Sequence, residues 1–210
     1  MRALALTTAI LVASTVASSV AAQRGPSPRA ARLIRAGEAY LRAGDRGSAI
    51  GYFREALQAD PRSMRAYERL GEAYRARGSH VDAREVFEAG LARDPDHAPL
   101  WLGLARTLLE AGQPEEAARA VRSLLARDPD HREGLRLRAE LARARGAWSE
   151  ALTAYRALLS LDDLSAEERA ELRRYEAALR LLARPLDPVS AARACAPDAP
   201  PVRRALARCE

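Results

Sequence analysis

Four glycines, Gly44, Gly78, Gly112 and Gly146, stand 34 residues apart, and the same step separates Ala49, Ala83, Ala117 and Ala151. Pro61, Pro95 and Pro129 keep it too. A period of this length means that one supersecondary unit is used several times over. Each unit is too small to bury its own apolar face, so its stability has to come from stacking on its neighbours. A single closed core and a sheet are both hard to reconcile with that constraint.

Within each period the apolar spacing is helical. Leu33, Ala36 and Tyr40, then Tyr67, Leu70 and Tyr74, then Trp101, Leu104 and Leu108 recur at i, i+3, i+7 and predict a set of first helices. Ala49, Phe53 and Ala56, then Ala83, Phe87 and Gly90, then Ala117, Val121 and Leu124 recur at i, i+4, i+7 and predict second helices. The spaced glycine is the turn between the two, because it tolerates positive φ. Second helices are announced by Asp45, by Ser79 with Asp82 as a capping pair, and by Pro114. The spaced prolines end them. Gly37, Gly71 and Ala105 are expected to face Ala49, Ala83 and Ala117, letting paired helices approach closely.

The ends of the chain differ from its middle. Residues 1–22 hold one charge, Arg2, an apolar stretch centred on Ala9–Ala13 and small residues before Gln23. They read as a cleavable secretory signal, with an uncleaved membrane anchor as the competing reading. A linker follows over 23–29, although Ser27 before Pro28 already has the form of a helix start. Ser165 with Glu168 forms a capping box for a helix over 166–184, whose apolar stripe is Leu172, Tyr175, Leu179 and Leu182 and whose Glu176 falls elsewhere. The tail 185–210 carries the two cysteines, Cys195 and Cys209. Export would favour a disulfide between them.

Composition narrows the function classes. All 34 basic residues are arginine, against 28 acidic ones, for a formal charge of +6. Arginines and glutamates alternate almost throughout, which suits a pair-laced solvated face better than one phosphate-facing stripe, so no nucleic-acid partner is expected. His97 and His131 lie in the matching stretches Arg-Asp-Pro-Asp-His and read as turn residues between repeats. Equivalent residues of adjacent repeats sit about 10 Å apart, too far to share a metal. No nucleophile motif or marked carboxylate pair suggests catalysis, and neither a cofactor nor a metal is expected.

The pattern resembles the tetratricopeptide repeat, most closely in the second and third copies, where Tyr67, Leu70, Gly71, Tyr74, Ala83, Phe87 and Pro95 occupy the signature positions. The likeness covers four copies over 30–165. The fourth departs from the pattern at Arg138, Ala142 and Asp163. The resemblance implies an all-α fold, a right-handed superhelical solenoid of about four antiparallel helix pairs closed by the capping helix, with a concave groove for a protein or peptide. By matching sites, the groove side carries Arg35, Glu38, Arg42, Arg65, Arg69, Glu72, Arg75, Arg106, Arg136 and Arg143. That face is either a seat for acidic segments, since guanidinium pairs with carboxylate in a bidentate fork, or an ordinary solvated surface. The family's clamp for C-terminal carboxylates uses asparagines, and this chain has none. The expectation is a non-catalytic scaffold of the bacterial envelope, periplasmic or secreted, with no membrane span once the signal is removed. The alternative is an adaptor anchored by an uncleaved first segment.

Overall fold

The computed structural model describes residues 27–182. Among these it has nine helices and no strand: α1 (Pro28–Arg42), α2 (Arg46–Ala59), α3 (Met64–Arg77), α4 (His80–Leu91), α5 (Ala98–Glu110), α6 (Pro114–Arg127), α7 (Arg132–Ala144), α8 (Trp148–Leu159) and α9 (Ala166–Leu182). The all-α repeat expected from the 34-residue period is what forms. The described chain divides after Ala111 into two compact units. The signal or anchor segment 1–22, most of the linker and the pair Cys195 and Cys209 lie outside the described residues.

Helix boundaries follow local chemistry. Ser27 caps α1 ahead of Pro28, so the helix starts inside the span 23–29 assigned to the linker. Asp45 caps α2, its carboxylate accepting the Ser48 N–H at 2.9 Å. Each turn between first and second helix passes through its glycine in the left-handed region, with φ of 84°, 85°, 75° and 69° at Gly44, Gly78, Gly112 and Gly146. A side chain there would strain the backbone, so the period of glycines reports a backbone requirement. Ser165 and Glu168 close the expected box in both directions, at 3.1 and 3.2 Å.

The capping pair read at Ser79 and Asp82 does not form. Ser79 makes no side-chain cap bond. Its hydroxyl instead accepts from Arg77 Nε at 3.0 Å, and Arg77 also reaches Asp82 at 3.6 Å. The guanidinium two residues upstream draws both intended capping groups away from the helix end.

In the first unit the core runs through Phe53, Phe87 and Leu100, all essentially inaccessible. Gly37 and Gly71 have the Phe53 and Phe87 rings as their nearest neighbours, ahead of the alanines expected opposite them. A Cβ added at Gly37 would lie 2.5 Å from the Phe53 ring, and one at Gly71 or at Gly103 would lie 2.5 Å from the Phe87 ring. The apolar stripe read for α1 is also rotated. Ala30, Ile34 and Gly37 are its buried residues, while Leu33 is half-buried and Tyr40 exposed and stacked on Tyr52. The matching Tyr67 and Tyr74 of α3 are buried. The difference is positional, because among the described residues no helix precedes α1 to cover that side.

In the second unit Leu135, Ala139, Ala151, Tyr155 and Leu158 pack with Leu172 and Leu179 of α9 into one cluster, and Trp148 lies partly buried against it. Tyr175, read as part of the buried stripe of α9, is exposed and stacks on Tyr155 at 5.4 Å. Glu176, read as lying off that stripe, is mostly covered and takes Arg156 at 3.1 Å and Arg180 at 2.7 Å. Arg138, on a normally apolar position, lies half-buried beside Glu150 at 3.4 Å.

Candidate functional site

In the first unit α1, α3 and α5 lie side by side, α3 touching both of the others. Their common outer face carries eight of the residues expected to line a binding surface. Glu38 of α1 accepts from Arg65 at 2.9 Å and from Arg69 at 3.1 Å, both on α3. Arg69 also reaches Glu72 at 2.9 Å, and Arg75 donates to Glu110 at the end of α5. Partial burial of the Glu38 carboxyl works against its ionisation, but the two guanidiniums outweigh it and hold the group below the ordinary glutamate range. The face is therefore a lattice of ion pairs between neighbouring repeats, not a bare basic strip.

Arg35 and Arg42 stand apart from this lattice, exposed on α1. Arg106 is exposed on α5. Between the N-terminal halves of α1 and α3 opens a cleft of about 1160 Å³, with Ala31, Ile34 and Met64 among its apolar lining and Arg35 and Arg62 among its charges. Arg62 was not picked out from the sequence, and neither was the cleft.

In the second unit Arg136 donates to Glu168 at 2.7 Å, and Arg143 lies over the Tyr175 ring at 5.5 Å. Both are thus engaged by the capping helix. Together with Tyr155 and Leu172 they border a cavity of about 200 Å³. The backbone N–H and hydroxyl of Ser165, ahead of Arg136, lower the Glu168 carboxyl below its usual value.

The two matching histidines take the turn positions expected of them, each at the N-cap of a first helix. They do different things there. The Nδ1 of His131 accepts the Gly134 N–H at 3.1 Å, as a capping serine would, whereas His97 turns its ring to Glu68 of α3. No helix of the described residues is long and apolar enough to cross a membrane.

Two family models, each described as a tetratricopeptide repeat, match residues 34–98 and 75–141. No curated protein matches the sequence. Among solved structures, a thermophilic tetratricopeptide repeat protein of Thermus thermophilus is 25% identical with a TM-score of 0.55, over 71% of this chain and 80% of that one. The first such domain of Spaghetti (RPAP3), bound to the HSP90 peptide SRMEEVD, gives 18% and 0.54 over 58% of this chain and 98% of its own. YrrB, a protein of this type with an unusual peptide-binding site, gives 18% and 0.55 over 71% and 75%.

Proposed function

Because the chain belongs to the tetratricopeptide repeat family, whose members are generally non-catalytic interaction modules, we propose that it is a docking scaffold that holds a protein or peptide partner on its first-helix face. The observation that carries this is the adjacency of α1, α3 and α5, which presents Arg35, Arg42, Arg65 and Arg106 to solvent on one side of a unit built of repeats. The peptide seen on the Spaghetti domain and the peptide-binding site of YrrB support a peptide-sized occupant. Excess guanidinium on the face supports an acidic one.

The place of action belongs to the same reading. Residues 1–22 have the make-up of a secretory signal, which supports an exported scaffold of the bacterial envelope, periplasmic or secreted, with Cys195 and Cys209 bonded. Mass spectrometry of the protein recovered from its native host is expected to find an N-terminus near Gln23 and to find the two thiols oxidised. An intact Met1 terminus would turn the reading to the membrane-anchored adaptor.

Docking itself is tested by capture of envelope proteins on the immobilised chain. Reversal of Arg69 or Arg75 is a poor probe, since it would set a carboxylate against Glu38, Glu72 or Glu110 and disturb the fold. Arg35→Glu combined with Arg42→Glu changes two exposed charges outside the lattice. Loss of the captured partner is expected, and retention at wild-type level removes the first-helix face as the docking surface.

A further inference from the structure

We propose that the cleft between α1 and α3 seats an extended peptide segment in which an apolar residue is flanked by carboxylates; this rests on the docking reading above and narrows it to one place and one chemistry. Arg65 is already held by Glu38, and Asp60 accepts the backbone N–H groups of Ser27 and Arg62, each at 3.1 Å. The guanidiniums of Arg35 and Arg62 are left to meet an anion above a floor of Ala31, Ile34 and Met64. Small-ligand pockets run to about 300–1000 Å³. A cleft of about 1160 Å³ has room for several residues of a chain.

The cleft is open because of two residues. One repeat later, Ile34 is replaced by Glu68 and Ser63 by His97, and these two side chains close on each other by a hydrogen bond across the matching space. In the first repeat Ser63 turns inward instead, its hydroxyl accepting the Ala66 N–H at 3.3 Å, and Ile34 is buried. The same backbone thus carries a filled position in one copy and a vacant, apolar one in the other.

Other occupants fit less well. The sequence ahead of Ser27 has Arg2 and Arg24 and no carboxylate, so it repeats the sign of the rim. A nucleic acid would want rings to stack on, and the lining offers none.

The test is fluorescence anisotropy of the full chain with a labelled Glu-Glu-Leu-Leu-Glu-Glu peptide. Binding is expected, weakened about tenfold when the leucines become serine, when the glutamates become glutamine, or when the protein carries Arg35→Glu or Arg62→Glu. Ile34→Glu combined with Ser63→His, which installs the hydrogen-bonded pair that the next repeat carries, is expected to abolish it. Arg173→Glu, at an exposed site on α9, leaves it unchanged, and circular dichroism checks that every variant is folded. Equal affinity for the altered peptides, equal binding by Ile34→Glu/Ser63→His, tighter binding of a labelled oligothymidine, or self-association that Ile34→Glu/Ser63→His abolishes would each overturn the proposal. Partner capture that is lost in Arg35→Glu/Arg42→Glu but untouched by Arg62→Glu and by Ile34→Glu/Ser63→His overturns the cleft and leaves docking standing. Capture indifferent to all three variants removes both.

Discussion

At the scale of single residues, the first unit depends on a reciprocity of size. Phe87 fits because Gly71 lies on one side and Gly103 on another, with no Cβ on either. Gly71→Ala would bring a methyl within 2.5 Å of a ring already held by a second glycine, so the ring has little room to yield. The cost expected is about 1–3 kcal/mol, read as a lowered midpoint in urea unfolding. Gly51 is the control: it lies on the exposed side of α2 with nothing within 4 Å of an added Cβ. Gly51→Ala should stabilise by about 0.5–1 kcal/mol through helix propensity alone. An equal effect of both changes would remove the packing account. The sequence marked Gly37 and Gly71 as sites of close approach but named the wrong neighbour, because spacing along one helix does not say which side chain of the next fills the gap. An alignment at 34 residues does contain the answer, since Gly37 and Phe53, then Gly71 and Phe87, keep the same separation of about half a period.

At the scale of elements, the helices and most of their ends were legible because each rests on a short-range rule. Ser27–Pro28, Asp45, Pro114 and the Ser165–Glu168 box all act within one turn. Ser79 was misread since the competing donor, Arg77, lies outside the motif. The two serines therefore give opposite expectations. Ser165→Ala should cost about 0.5–2 kcal/mol, seen as earlier melting of the helical signal, because a cap bond to the Glu168 N–H is lost. Ser79→Ala removes no cap bond and should stay within about 0.5 kcal/mol of wild type. A larger loss at Ser79 than at Ser165 would reverse the assignment. The stripes of α1 and α9 were misread for a different reason. Periodicity finds the apolar side of a helix, but Tyr40 and Tyr175 sit at the edge of coverage, where exposure depends on whether a further helix arrives.

At the scale of the whole molecule, charge is the feature least evident from the sequence and most general in the structure. Alternating arginine and glutamate suggested a pair-laced solvated face without saying which residues pair. Many of the pairs join residues roughly one repeat apart: Glu38 with Arg69, Arg75 with Glu110, Arg136 with Glu168. Pairing of this kind fixes a pH dependence. Glu38 in the first unit, and Glu168 and Glu176 in the second, ionise below the ordinary glutamate range. For Glu176 the hydrogen bond from Arg156 is the main cause. A carboxyl whose folded pKa lies below its unfolded one stabilises the fold above the unfolded value, and that contribution drains away as pH falls through the folded one. Thermal melts should therefore be flat near neutrality and decline once the pH drops under the usual glutamate range. Glu176→Gln should lessen the acid-dependent part, and a melting temperature indifferent to pH down to 3 would show that these pairs contribute nothing to folding.

The positions 63, 97 and 131 show what duplication gives such a chain. The helix frame asks only for a residue able to begin a helix there, and Ser63, His97 and His131 all satisfy it. What each does with the space beyond is free to drift. A change of one or two codons at such a site and its neighbour can shut one recess or open another in a different copy, so the surface can be rewritten while the architecture stays put.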